Sequence, residues 1–274
     1  MATLSYYDVL DAIHRTLYPR TYLEIGIRHG DSVALALPGT RVIGVDPAPS
    51  IWVALPKDAI VEKCTSDDFF DSGRIVAHLG GSPIDLSFID GMHLWEFALR
   101  DFLNIERHSH TGSVVLIHDC LPRCALEAQR ERASVGWTGD VWKLLYFLRE
   151  ERPDLDVTIL DSPPSGLGVI RHLNPDRPDI DISAVVERYK GLDFQSFEAD
   201  LAPSLRFVSG DWDEIRVILP EKPWQVPENI SALLAERSRR QPSLATRARQ
   251  LMRLALQTPP GRAASRARQR LLRR

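Results

Sequence analysis

Apolar and polar positions alternate along this chain with two periods, and the change from one to the other marks the elements. Leu4, Tyr7, Leu10, Ile13 and Leu17 recur every three or four residues, which predicts an amphipathic helix over residues 3–18 that ends before Pro19 and covers a sheet edge or a ligand mouth. Tyr22, Leu23, Ile25 and Ile27 then form a strand-length apolar run, as expected of a parallel strand buried on both faces. Gly26 and Gly30 allow the sharp turn that follows, and Asp31 and Ser32 are cap types for a helical run from Val33 to Leu37. Arg41–Val45 is a second strand with the carboxylate of Asp46 at its carboxyl end.

The same alternation continues. Ala59–Cys64 predicts a third strand, the cap-rich Thr65–Asp68 opens an amphipathic run to Leu79, and Ile84–Asp90 is a fourth strand followed by a helix over Leu94–Arg107. Gly112–Asp119 is a fifth strand, Leu121–Val135 a loop with a short helix, and Thr138-Gly139-Asp140 caps an apolar helix containing Trp142 and Leu148. Asp156–Leu160 and Gly166–Leu173 form a closing hairpin. This order predicts an α/β, Rossmann-like, doubly wound and mostly parallel seven-stranded sheet with an antiparallel last strand. Beyond it, Ile182–Lys190 reads as a helix and Glu214–Leu219 as a strand. The expected division is a main domain over 1–173, a small appendage over 174–230 serving as lid or interface, and a basic tail over 231–274, partly helical or disordered.

Charge sharpens that division. Residues 231–274 hold twelve arginines and one acid, a net +11, which leaves −14 on the first 230 residues of a chain whose total is −3. An acidic body excludes general nucleic-acid binding, while the tail suits peripheral contact with an anionic membrane. No apolar run reaches the length of a spanning helix, and the first residues lack the basic-then-apolar pattern of a signal peptide. Three cysteines, at 64, 120 and 124, form no disulfide framework. The expected location is the cytoplasm.

In open α/β sheets, ligands bind outside the carboxyl ends of the strands. Asp46, about 20 residues beyond the glycine turn, suits hydrogen bonds to ribose hydroxyls, so a nucleoside ligand is expected. The dinucleotide fingerprint is broken, because Arg28 and Asp31 stand where further glycines are needed. The pattern Glu24-x-Gly26-x-x-x-Gly30 with Asp46 beyond resembles the cofactor loop of class I S-adenosylmethionine-dependent methyltransferases. That resemblance implies S-adenosylmethionine as cofactor, its methionine part admitted by Gly26 and Gly30, its amino end or the loop held by Glu24, its ribose by Asp46, and its adenine by Asp67 or Ser66.

Two neighbouring strands end in ligand-type residues, Asp90-Gly91-Met92-His93 and His118-Asp119. Asp90 and Asp119 with one further ligand would hold Mg²⁺, which orients oxygens and acidifies a bound hydroxyl. His93 is the candidate general base, with a helix-start residue as the plain alternative; Asp119 has the alternative of a turn-forming carboxylate. Phe88–Glu96 with Leu116–Cys120 is similar to the macrocin and mycinamicin sugar O-methyltransferases, which implies metal-binding acids at Asp90 and Asp119 and a base at His93. His118 departs from the acid common there. His118, Cys120 and Cys124 lack the fourth ligand of a zinc knuckle. Trp137 and Trp142 could wall an acceptor pocket, with helical core the commoner fate for Trp142.

The expected activity is methyl transfer to a hydroxyl of a sugar, glycoside or other small metabolite. The competing expectations are a non-catalytic cofactor-binding module that docks a partner or membrane through its tail, and a hydroxylase-like enzyme on the same scaffold.

Overall fold

The computed structural model describes residues 4–209, 211–220 and 228–240. The expectations for residues 241–274, a helical face among them, lie outside the described residues. Helix α1 (Tyr6–Leu17) opens with a capping box, Ser5 Oγ accepting from the Asp8 amide at 3.3 Å while Asp8 Oδ2 accepts from the Ser5 amide at 3.1 Å. It closes at Tyr18 in a left-handed conformation, because Pro19 cannot extend it. The eight strands are β1 (Thr21–Ile25), β2 (Arg41–Val45), β3 (Ile60–Glu62), β4 (Ile84–Ile89), β5 (Ser109–His118), β6 (Asp156–Leu160), β7 (Leu167–Arg171) and β8 (Phe207–Val208). They form one sheet in the order β3-β2-β1-β4-β5-β7-β6-β8. All pairs are parallel except β5–β7 and β6–β7, so the seventh strand runs antiparallel as the pattern predicted. The eighth strand was not foreseen; two residues long, it is too short to carry a periodicity.

The strand order reverses between β1 and β4. A crevice opens outside their carboxyl ends at that switch point, and the site lies there.

Alternation of side chains along each strand feeds two cores. On one face, Leu23, Ile25, Ile43, Val115 and Ile117 pack under α2 (Ser66–Asp71), α3 (Arg74–Leu79), α4 (Trp95–Arg107), α5 (Lys143–Glu151) and α6 (Ile182–Tyr189), which contribute Phe69, Leu79, Phe102, Leu145 and Val185. On the other, Tyr22, Val42, Phe88 and Leu116 meet the buried stripe Val9, Leu10, Ile13 and Leu17 of α1. Thus α1 covers a face of the sheet, and only its first residue, Tyr6, reaches the cleft.

Three local expectations need correction. Val33–Leu37 forms no helix but one 3₁₀ turn over Val33–Leu35, since Ser32 spends its hydroxyl on Glu24 instead of capping and Pro38 follows at once. Glu214–Leu219 is no strand: Trp212–Ile218 is a helix capped by the Asp211 side chain, with Ile215 and Ile218 against the α1 core. The loop over Leu121–Val135 contains turns but no helix.

Residues after β7 are built onto the main body. Glu106 of α4 is wholly buried and accepts from Arg152 at 2.7 Å and from Arg177 at 2.6 Å, with the Asn174 amide at 3.1 Å. Phe197 and Leu201 then join the core of α5 and α6. Among the described residues, none of 174–240 lines the cleft. The helix Ile230–Arg240 packs at the far side, where the buried Arg237 donates to Leu35 O at 2.6 Å and pairs with Asp11 of α1.

Candidate active site

A cleft of about 670 Å³ runs along the carboxyl ends of β1, β2, β4 and β5. Its size is that of a pocket for a cofactor-sized ligand. One end is lined by Gly26, Arg28, Asp46, Ser66, Asp67 and Asp101, the other by Tyr6, His93, His118, Asp119, Arg132 and Trp137.

At the first end the chain leaves β1 through Gly26, whose φ of +90° and whose neighbour forbid any side chain: a Cβ there would lie 2.1 Å from the Asp90 carbonyl oxygen. Glu24, one turn below, is fully buried and does not line the cleft. Its carboxyl accepts from Tyr22 OH at 2.7 Å and from Ser32 Oγ, so it ties the loop to β1. Burial pushes its pKa up to about 8, although the Ser32 and Tyr22 hydrogen bonds pull the other way. Gly30 stands away from the cleft against Leu55 and Ile51. Asp46, at the tip of β2, accepts from the backbone amides of Arg28 and Ala48, each at 2.7 Å. A carboxylate has about four acceptor sites, so two bonds leave room for ribose hydroxyls. Asp67 faces a different partner, Arg100, which donates to both its oxygens at 2.8 Å.

At the second end, the bend after β4 places His93 at φ +57° and the end of β5 places Asp119 at φ +61°. His93 Nδ1 lies 2.7 Å from Asp119 Oδ2, while Nε2 lies 3.7 Å from Asp90 Oδ1. The imidazole stacks on Trp137, with ring centroids 5.0 Å apart. His118 Nδ1 is 3.3 Å from Asp90 Oδ1 and 3.4 Å from Asp119 Oδ1, and Tyr6 covers its ring at 4.2 Å. Ser165 Oγ donates to Asp119 Oδ1 at 2.6 Å. Burial acts to lower the pKa of both histidines, yet the paired carboxylates prevail: His93 is raised, and His118 reaches about 10 under the charges of Asp90 and Asp119. Against its own burial, Asp119 is held well below the usual carboxylate range by His118 and His93. Trp142 is buried core, 1% exposed.

Sequence reasoning did not single out Tyr6, Arg28, Asp101, Arg132 and Ser165, because they come from a helix start, a helix interior and loops whose placement no periodicity encodes. Asp101 carried the one available signal, a carboxylate at the helical spacing of the buried positions Ala98 and Ile105 on α4.

Asp90, His93 and Asp119 each offer a ligand atom within 4.8 Å of the others. The set fits magnesium poorly. Magnesium selects oxygen donors, whereas here two imidazoles already balance the two carboxylates, and an entering ion would have to displace one of them. The residues at the other end do fit an adenosyl group: Asp46 retains acceptor sites, and Asp101, buried in the floor, has an oxygen with no hydrogen-bond partner among the described residues.

The fold and crevice define a Rossmann-like α/β protein with a cleft at the switch point of its sheet. Residues 23–120, just over a third of the chain and the part carrying β1 to β5, match the family Methyltransf_24, described as a methyltransferase domain. No curated protein matches the chain. Solved structures similar to it include cofactor-bound Rv0187 from MTB (18% identity, 62% of this chain and 80% of that one, TM-score 0.48). Others are the O-methyltransferase TomG of Streptomyces achromogenes with SAM (18%, 62% and 80%, 0.45) and an O-methyltransferase of Bacillus cereus with SAH (19%, 60% and 79%, 0.43). No helix among the described residues is long and apolar enough to cross a membrane.

Proposed function

We propose that this protein is an S-adenosylmethionine-dependent methyltransferase acting on a hydroxyl of a sugar, glycoside or other small metabolite. The observation that carries the reading is the single cleft joining the Gly26 turn and Asp46 to the His93–Asp119 pair. The methyltransferase-domain match over the same strands supports it.

When bound, S-adenosylmethionine supplies an electrophilic methyl carbon on sulfur, which passes to the acceptor oxygen as the carbon–sulfur bond breaks. The chain's residues do the rest. Asp46 takes the ribose hydroxyls, the bare Gly26 backbone lets the chain turn under the ligand, and Glu24 fixes the loop from below. His93 takes the acceptor's proton, and the Asp119 carboxylate, 2.7 Å from its Nδ1, stabilises the imidazolium that results. Ser165 holds Asp119 in turn. Asp90 offsets the imidazolium that forms, and the Trp137 face gives an acceptor ring an apolar wall. No metal is needed for this route.

The test is calorimetric titration with S-adenosylhomocysteine on the wild type and Asp46→Ala, followed by a screen of sugar hydroxyl acceptors on wild type and His93→Ala. Binding that depends on Asp46 and turnover that depends on His93 support the reading. Well-folded wild type that binds no S-adenosylhomocysteine sinks it.

A further inference from the structure

The loop joining β5 to α5 walls the His93 end of the cleft, and it carries both Arg132 and Trp137. It is pinned at several points. Arg130 donates to Glu96 of α4 at 2.9 Å and to Asp140 at 2.7 Å, and Asp140 accepts from the Trp95 amide at 3.0 Å, which clamps the loop to the start of α4. Arg123 donates to both oxygens of Glu127, at 2.6 and 3.1 Å, and a Cβ on Gly136 would lie 2.7 Å from each partner. The Trp137 indole donates to Gln129 O. A loop tied this closely holds its remaining side chains ready for a ligand.

Two of its three arginines are therefore spent on carboxylates. The third, Arg132, is exposed, lines the cleft and has no carboxylate partner among the described residues, although Asp90 and Asp119 border the same cleft. Those acids are already matched: His118 Nδ1 lies 3.3 Å from Asp90 Oδ1, and His93 Nδ1 lies 2.7 Å from Asp119 Oδ2. Arg132 is left uncompensated, on a body whose first 230 residues sum to −14. Such a body repels anions over most of its surface and draws them only to a local positive spot. The rim around this cation is apolar: Val135 and Met92, 68% and 60% exposed, border the cleft with Trp137. Apolar neighbours exclude water and strengthen a charge pair made beside them. A guanidinium offers paired donors that match the oxygens of a carboxylate or phosphate.

We propose that Arg132 selects the methyl acceptor by charge: the substrate carries a carboxylate or phosphate besides its reacting hydroxyl, the anion pairing with Arg132 while the rest of the molecule packs on Trp137. The inference rests on the proposed methyltransferase reading and narrows its substrate class. Arg132 takes no part in the chemistry. Its loss raises KM for a charged acceptor and leaves kcat in place.

The experiment measures S-adenosylhomocysteine formation by wild type, Arg132→Gln and Arg132→Glu with matched acceptors: glucose against glucuronate and glucose phosphate, and catechol against its carboxylate, protocatechuate. Wild type should prefer the charged member by about ten-fold in kcat/KM, and the uronate and phosphate arms tell which anion it takes. Arg132→Gln should bring each pair within about two-fold through KM, and Arg132→Glu should favour the neutral member. S-Adenosylhomocysteine should bind all three proteins alike by calorimetry. If no acceptor turns over, inorganic phosphate and benzoate titrated into the S-adenosylhomocysteine complex decide: an anion bound by wild type and lost in Arg132→Gln supports the assignment, and anions that bind neither or both overturn it. Preference of wild type for a neutral acceptor, or a charge preference that survives either substitution, overturns the proposal and leaves the methyltransferase reading standing. Cofactor affinity that falls in Arg132→Gln also overturns it, since the cation then serves the cofactor's own carboxylate. Absence of S-adenosylhomocysteine binding in wild type overturns both.

Discussion

His93 Nδ1 and Asp119 Oδ2 stand 2.7 Å apart, although one belongs to the bend after β4 and the other to the last step of β5. The contact exists because these strands are parallel neighbours in register, Ile89 beside Ile117, so their carboxyl ends coincide. It sets the imidazole between two carboxylates, with Nε2 3.7 Å from Asp90 Oδ1.

A base so held must be neutral to act. Its carboxylate neighbours favour the imidazolium, so the His93 pKa lies above the ordinary 6.5, and turnover should fall as pH drops through that raised value. His93→Gln should lower kcat by about 10² to 10⁴. A pH–rate profile of wild type beside the variant checks both. A profile flat from pH 6 to 9 would remove His93 as the base.

Treatment with EDTA followed by gel filtration should leave turnover within about two-fold, because the two imidazoles already compensate Asp90 and Asp119. A ten-fold loss restored by Mg²⁺ would reinstate a metal at these carboxylates.

Gly26→Ala should abolish cofactor binding and lower stability by about 2 kcal/mol or more, since φ is +90° and the new Cβ meets the Asp90 carbonyl. Chemical denaturation and calorimetry read the two effects separately.

His14 in α1 is fully buried, its ring edge-on to Tyr22, with no hydrogen-bond partner for either nitrogen among the described residues. Burial first, and the Arg237 charge second, lower its pKa to about 3. Below the unfolded value of 6.5 only the unfolded chain takes up the proton, so stability falls as pH drops from 6.5 toward 3 by about 1.4 kcal/mol per unit. Above 6.5 the group contributes nothing to the slope. His14→Phe should remove this dependence, giving about 2 kcal/mol over wild type at pH 5 beyond any difference at pH 7, as measured by urea melts.

Glu106→Gln should cost about 3 kcal/mol, because it removes the buried negative charge shared by Arg152 and Arg177 and leaves Arg177 with only backbone carbonyls as partners. A thermal melt tests it.

The strand-and-turn pattern made most of the sheet legible, since each buried parallel strand is written in adjacent apolar residues. Asp46, Asp90, His93 and Asp119 were visible as candidates because strand ends are marked by the turn residues after them. What was not legible depended on contacts between distant segments. Ser32 looked like a cap, but Glu24 took its hydroxyl, and with it the first crossover helix. Glu214–Leu219 is apolar enough for a strand; the Asp211 cap and the empty side of α1 make it a helix instead. Asp67 looked like an acid for the cofactor end, and nothing local announced that Arg100 would occupy both its oxygens.

The place of α1 bears on how the chain is made. Its stripe of Val9, Leu10, Ile13 and Leu17 is completed by Phe88, Leu116, Leu160 and Ile215, all synthesised long afterwards. A nascent chain must therefore carry this helix with its apolar face only partly covered, by Tyr22 and Val42, until most of the sheet has left the ribosome. Closing so large a loop slows folding, and the exposed stripe is a natural handle for a chaperone during that interval.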